Sequence, residues 1–132
     1  MRNFPRFCSA IVLIHLVLAT LHGAAHRHLG ITLTVNQQLF VAIVIVFAPL
    51  LAMVFSSTRL RSTGAAMLLI AMAGSLIFGV ANHYLIVSPD HVSHLPVENW
   101  ALVFQITAAF LAVTELLGCV IALKGLRRNQ KP

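Results

Sequence analysis

Acidic residues are almost missing from this chain: Asp90, Glu98 and Glu115 are the only three in 132 residues, and charged residues of both signs make up 9%. A soluble domain carries roughly 25%, so an ordinary water-facing surface is excluded. Cysteine is scarce too. Cys8 and Cys119 are the only two; they fall near the cytoplasmic ends of their segments, where thiols stay reduced, and read as small apolar fillers rather than a redox pair. No linker, repeat or low-complexity stretch interrupts the chain, which predicts one domain over residues 1–132. No nucleotide-binding or hydrolase motif is present, so nothing in the sequence marks an enzyme. The net charge of +6 could point to nucleic acid, but the basic residues are scattered at segment ends, with no basic face or groove. Nucleic acid is not an expected partner.

What the chain has is apolar surface. Hydrophobic residues make up 59% and the mean hydropathy is +0.92, more than 132 residues could bury in a water-soluble fold. Four apolar runs, approximately 7–28, 38–56, 65–87 and 99–123, are each near the ~20 residues that cross a bilayer as a helix. Turn-forming residues separate them: Asn36-Gln37-Gln38, Ser56-Ser57-Thr58, then Ser88-Pro89-Asp90 with Leu95-Pro96. Short connections predict an all-α, antiparallel four-helix membrane bundle. Pro49, inside the second run, predicts a kink there.

Orientation follows from the basic residues. Arg2, Arg6, Arg59, Arg61, Lys124, Arg127, Arg128 and Lys131 fall on one side, and Arg27 alone on the other. The positive-inside rule then puts both termini in the cytoplasm, in a bacterial inner membrane, with the lipid bilayer as the first partner. Trp100 and Tyr84 fall near the outer interface, where amphipathic rings anchor. A second reading treats Arg2 and Arg6, the apolar run to Leu21 and Gly23-Ala24-Ala25 as a secretory signal cleaved after Ala25. The run continues through Leu29 to Leu33, which favours a retained first helix.

This topology gathers six of the seven histidines at the outer face. On the first helix His15, His22 and His26 share a stripe roughly 40° wide at 100° per residue. Such a stripe must face the bundle interior or water, because hydrocarbon leaves ring nitrogens unpaired. His22 and His26 form an H-x3-H pair one turn apart, able to reach a single ion. His83 ends the third helix, and the loop beyond it carries Asp90, His91 and His94 between two prolines. The candidate ligands are therefore His22, His26, His83, His91 and His94, with Asp90 possible; the nitrogen and oxygen set suits Zn²⁺, Cu²⁺ or Fe²⁺. The implied role is metal handling or transfer at the outer face.

Three alternatives use the same residues. Haem b could take axial imidazoles from facing helices, for example His22 or His26 with His83, although too many histidines lie outside the bundle core for haem alone. A non-catalytic accessory or assembly subunit would use the polar groups for packing. A membrane di-iron oxygenase would echo H-x3-H and H-x2-H, but adjacent paired histidines and a soluble cap are missing. At mid-membrane, His15 and Glu115 are expected at equal depth on neighbouring helices as a polar pair, since each alone in hydrocarbon is costly. Small-residue strips, Ala71-x3-Ser75-x3-Gly79 and Ala108-x3-Ala112, predict close helix approach and leave homo- or hetero-oligomers open. The second run has no strongly polar residue in its core and is expected to be the most exposed to lipid.

Overall fold

The computed structural model describes residues 3–129; Arg2 and Lys131 of the basic count lie outside the described residues. Among the described residues there is no strand. Four helices, each long and apolar enough to cross a membrane, form the fold: α1 Phe4–His28, α2 Val35–Ser56, α3 Arg61–Leu85 and α4 Asn99–Asn129. The first three helices begin, and the fourth ends, beyond the apolar runs, because helical hydrogen bonding continues into polar flanks that contribute nothing to hydropathy, while α3 stops short at Leu85.

Local chemistry sets the helix ends. Pro5 occupies the first turn of α1, where its missing N–H costs no bond. That helix stops at Gly30, the one residue with positive φ (66°) among those described; the amides of Gly30 and Ile31 close back on the carbonyls of Arg27 and His26. α2 opens with a capping box: Thr34 Oγ1 accepts from the Gln37 amide, and the Gln37 side chain accepts from the Thr34 amide.

Two helices change pitch part-way. In α2 residues Val41–Phe47 form wide π turns, and in α3 residues Ala81–Leu85 do the same. The first widening lies immediately before Pro49. In an unbroken α-helix that proline would press on the carbonyl of Ile45 and leave it without a donor. The sequence predicted a kink here; the strain is taken up as a widened stretch.

α4 packs along α1 and α3, and α2 packs on α3 and, through its last two turns, on α1. α2 is the least covered of the four, as expected of a helix whose middle carries no strongly polar residue. The tightly packed part of the bundle surrounds Phe4, Cys8 and Val12 of α1, Ala52 of α2, Leu68 and Met72 of α3 and Ala122 of α4. Three glycines permit close approach there. A Cβ on Gly64 would lie 2.7 Å from the Ser56 amide nitrogen and 2.9 Å from the Ala52 carbonyl oxygen. Cβ atoms on Gly118 and Gly125 would come within 2.7 Å of the Met72 and Phe4 side chains respectively.

Candidate metal centre

At the other end of the bundle, the last turns of α1 and α3 meet the beginning of α4. One ring nitrogen from each of His22, His26 and His83 lies within 4.8 Å of the others, and all three residues are buried. The rings pack on one aromatic floor: the fully buried Phe104 lies 4.4, 4.9 and 5.1 Å from the centroids of His22, His26 and His83. The one-turn spacing of His22 and His26 puts both on the α4-facing side of α1. The widened turn of α3 carries His83 into the same space, and π turns recur at functional sites for this kind of re-aiming.

Hydrogen bonds fix two of the tautomers. His83 Nδ1 lies 3.1 Å from the Asp90 backbone oxygen, which can only accept, so Nδ1 carries the proton and Nε2 a lone pair. His22 Nδ1 lies 2.9 Å from Thr107 Oγ1. The single proton of the Thr107 hydroxyl goes to the carbonyl of Val103, with that of Phe104 next nearest, so the oxygen accepts from His22, whose Nε2 is also left with a lone pair. These two Nε2 atoms face one another at 3.2 Å. Two ring nitrogens facing at that distance share a positive charge, either a metal ion beside them or a proton in an N–H···N hydrogen bond. Two nitrogens bound ~2.0–2.1 Å from a tetrahedral ion lie about 3.3 Å apart, which the observed separation matches.

Asp90 sits behind the rings. Its Oδ1 is 3.3 Å from His26 Nε2 and 3.4 Å from His83 Nδ1, and neither carboxylate oxygen has a hydrogen-bond partner among the described residues. Burial pushes the Asp90 carboxyl up, but His83, His26 and His22 outweigh burial and hold it below the ordinary aspartate range. A carboxylate against the outer edge of ligand imidazoles orients the rings and raises their basicity. Asp90 thus stands where a group supporting the ligands would stand, whereas the sequence offered it as a ligand. His26 Nδ1 is buried and has no hydrogen-bond partner among the described residues.

The remaining histidines at this end have other contacts. His91 donates through Nε2 to the Tyr84 carbonyl and accepts at Nδ1 from Ser93, so both its nitrogens are used in latching the loop. Exposed His94 packs on the His91 ring at 5.1 Å, and neither joins the group of three. His28 stacks on Trp100, with centroids 4.1 Å apart and planes 6° from parallel. Loop adjacency in sequence made His91 and His94 look like partners of His83, but the loop folds back to place Asp90 there instead.

Deeper in the bundle, His15 Nδ1 and Glu115 Oε1 are 3.9 Å apart, both side chains buried. His15 Nε2 donates to the Ile45 carbonyl at 3.1 Å. That is the carbonyl to which Pro49 cannot donate, so a histidine of α1 supplies the bond that the proline removes from α2. The other ring nitrogen, directed at Glu115, has no hydrogen-bond partner among the described residues.

A cavity of about 320 Å³ joins the two polar regions. His22, His26, His83 and Asp90 line one end and Glu115 the other, with Ala19, Ile45, Phe78, Ala108 and Ala112 between them. Of the small residues predicted to bring helices together, Ala71 is buried between closely packed α3 and α4, while Ser75, Gly79, Ala108 and Ala112 also border this cavity. A Cβ on Gly23 would meet nothing within 4 Å, and one on Gly79 only His83 Cδ2 at 3.9 Å. Thr107 and Phe104 escaped the sequence reading. The one available signal for Thr107 was a hydroxyl eight residues before Glu115 on a largely apolar helix, which places both toward one face.

No protein-family model matches this chain, and neither a curated protein nor a solved structure is significantly similar to it. The functional reading therefore rests on the geometry.

Proposed function

We propose that this protein crosses a membrane with four antiparallel helices, both termini cytoplasmic, and binds one borderline divalent ion, Zn²⁺, Cu²⁺ or Fe²⁺, at its outer face. His22, His26 and His83 are the ligands, Asp90 and Thr107 orient them, and the ion is held for handling or transfer. The observation that carries the reading is the pair of Nε2 atoms facing each other at 3.2 Å with a third buried imidazole beside them. Three imidazoles leave a tetrahedral ion one open position, which distinguishes an exchangeable or reactive site from a closed structural one. The adjoining cavity supplies the space for that position. The split of Lys and Arg between the two ends supports the orientation.

Haem is a poorer fit. Axial nitrogens on opposite sides of a haem iron are roughly 4 Å apart, twice a metal–nitrogen distance of ~2 Å, with the porphyrin between them. His22 and His83 approach more closely, and their rings meet edge to face with centroids 4.9 Å apart, which leaves no slot for a macrocycle.

Metal analysis of purified, detergent-solubilised protein after Zn²⁺ or Co²⁺ loading tests the proposal. The expected result is one ion per chain, lost when His22 and His83 are both replaced by alanine and retained when His91 and His94 are. Substoichiometric metal in the wild type, or a Soret band, overturns it. Reporter fusions at the C-terminus and next to Asp90 should report opposite compartments; the same compartment for both sinks the topology.

A further inference from the structure

The cavity has a polarity that the metal centre alone does not use. Its outer end carries a divalent ion on the proposed reading, together with Arg27, against the single carboxylate of Asp90, so the mouth is net positive. Thr32 and Gln38 line the cavity near the starts and ends of the helices; between them and Glu115 the walls are alanine, valine, isoleucine, leucine and phenylalanine side chains, and the hydroxyl among these, Ser75, is already donated to the Ala71 carbonyl. Its inner end is the Glu115 carboxyl. Glu115 lies eight residues beyond Thr107 on α4, about 12 Å along the axis at 1.5 Å per residue. Val12, Leu68 and Met72 of the close-packed core do not line the cavity.

This shape selects among occupants. A dehydrated cation moving inward would meet apolar wall with no ligand, which hydrocarbon-like surroundings penalise heavily. Water is poorly held where walls offer it no partners. A two-chain phospholipid is too bulky for about 320 Å³, a volume at the small end of ligand pockets. One apolar chain fits, with its head at the positive mouth and its tail toward Glu115, where no Lys or Arg lines the cavity to hold a second anionic end.

We infer that this cavity binds a single-chain amphiphile with an anionic oxygen head group, of the medium-chain fatty carboxylate class. The head group takes the open position on the ion beside Arg27, and the chain lies along Ala108 and Ala112. The head-group placement rests on the metal reading above; occupation of the cavity by the chain does not.

The test uses the full chain in lipid nanodiscs with decanoate and a diazirine-bearing decanoate as probes. In Co²⁺-loaded protein, decanoate should shift the visible cobalt bands at concentrations at least tenfold below those acetate needs. The photoprobe should label cavity-lining residues such as Phe78 or Leu111, and unlabelled decanoate should compete. A108L/A112L, which fills the channel without touching a polar group, should cut labelling at least tenfold at unchanged cobalt stoichiometry. Equal potency of acetate and decanoate, labelling that decanoate does not compete, or labelling unmoved by the filled cavity overturns the inference. Should the double variant not fold, competition on the wild type decides. Saturable, cavity-directed labelling with no bound cobalt would overturn the metal reading while upholding the cavity's occupant.

Discussion

The two ends of this bundle use glycine in opposite ways. Around Phe4, Leu68 and Met72, Gly64, Gly118 and Gly125 are small because a neighbour occupies the place of the missing side chain. Around the histidines, Gly23 and Gly79 are small and the space beside them stays open. The same residue type thus closes one end and hollows the other, and a small-x3-small strip does not by itself say which. In a bilayer the difference matters, because apolar burial no longer drives helices together; close packing and polar contacts must. The packed end supplies the fit, and the open end carries the buried polar groups that a close-packed core would exclude.

The contrast is broken most severely by removing a ligand. His83→Ala should cost roughly 3 kcal/mol of ion binding, about a quarter of the 10–16 kcal/mol typical of a complete zinc site, or on the order of 100-fold in Kd. Titration calorimetry reads this, and thermal unfolding of the metal-free protein should move much less. At the packed end, Gly64→Val should destabilise by about 1–3 kcal/mol through overpacking against backbone atoms that cannot yield. Denaturant unfolding in detergent measures it, and ion affinity per folded molecule should be unchanged. If Gly64→Val instead abolished binding in folded protein, the two ends would not be separable.

Smaller changes sharpen the contrast. Asp90→Asn should weaken ion binding by roughly 10–100-fold, the usual range for groups that orient metal ligands, without removing the site. Acid should act in the same direction, since protons compete for imidazole lone pairs and ion affinity should fall below about pH 6. The lowered carboxyl of Asp90 adds a separate effect. Its contribution to stability is present above the unfolded aspartate value near ~4 and is lost as pH falls through the lower folded value. The smallest expected effect is that of Gly23→Ala. With nothing within 4 Å of the new methyl group, it should leave stability unchanged or raise it by up to about 1 kcal/mol through helix propensity. A loss above that size would mean the open end is as tightly fitted as the other.

The four helices were legible because apolar runs of membrane-spanning length are a strong signal. Their ends were less so: polar residues such as Arg61 and Asn99 continue a helix without adding hydropathy. Both widened stretches were invisible except for Pro49, whose presence predicted disturbance but not its form. In the candidate site, the one-turn spacing of His22 and His26 and the position of His83 at a helix end were enough to group them. The grouping could not stop at three, because whether a loop histidine reaches the site depends on backbone acceptors such as the Tyr84 carbonyl, which leave no trace in side-chain spacing. For the same reason, Asp90 could be named as a participant but not placed behind the rings. The His15–Glu115 proximity followed from depth alone, while the Ile45 carbonyl that anchors His15 required the fold.

The stack of His28 on Trp100 has a spectroscopic consequence. Trp100 is the only tryptophan in the chain, and it lies flat on an imidazole at the junction of α1 and α4, next to the three buried histidines. Its emission therefore reports on the open end alone, with no second indole at the packed end to dilute the signal. Loss of the stack and a nearby Cu²⁺ both change indole fluorescence, so one native fluorophore reads copper arrival and separation of the two helices without any label. If its emission changes before circular dichroism registers loss of helix, the open end loosens while the packed end still holds.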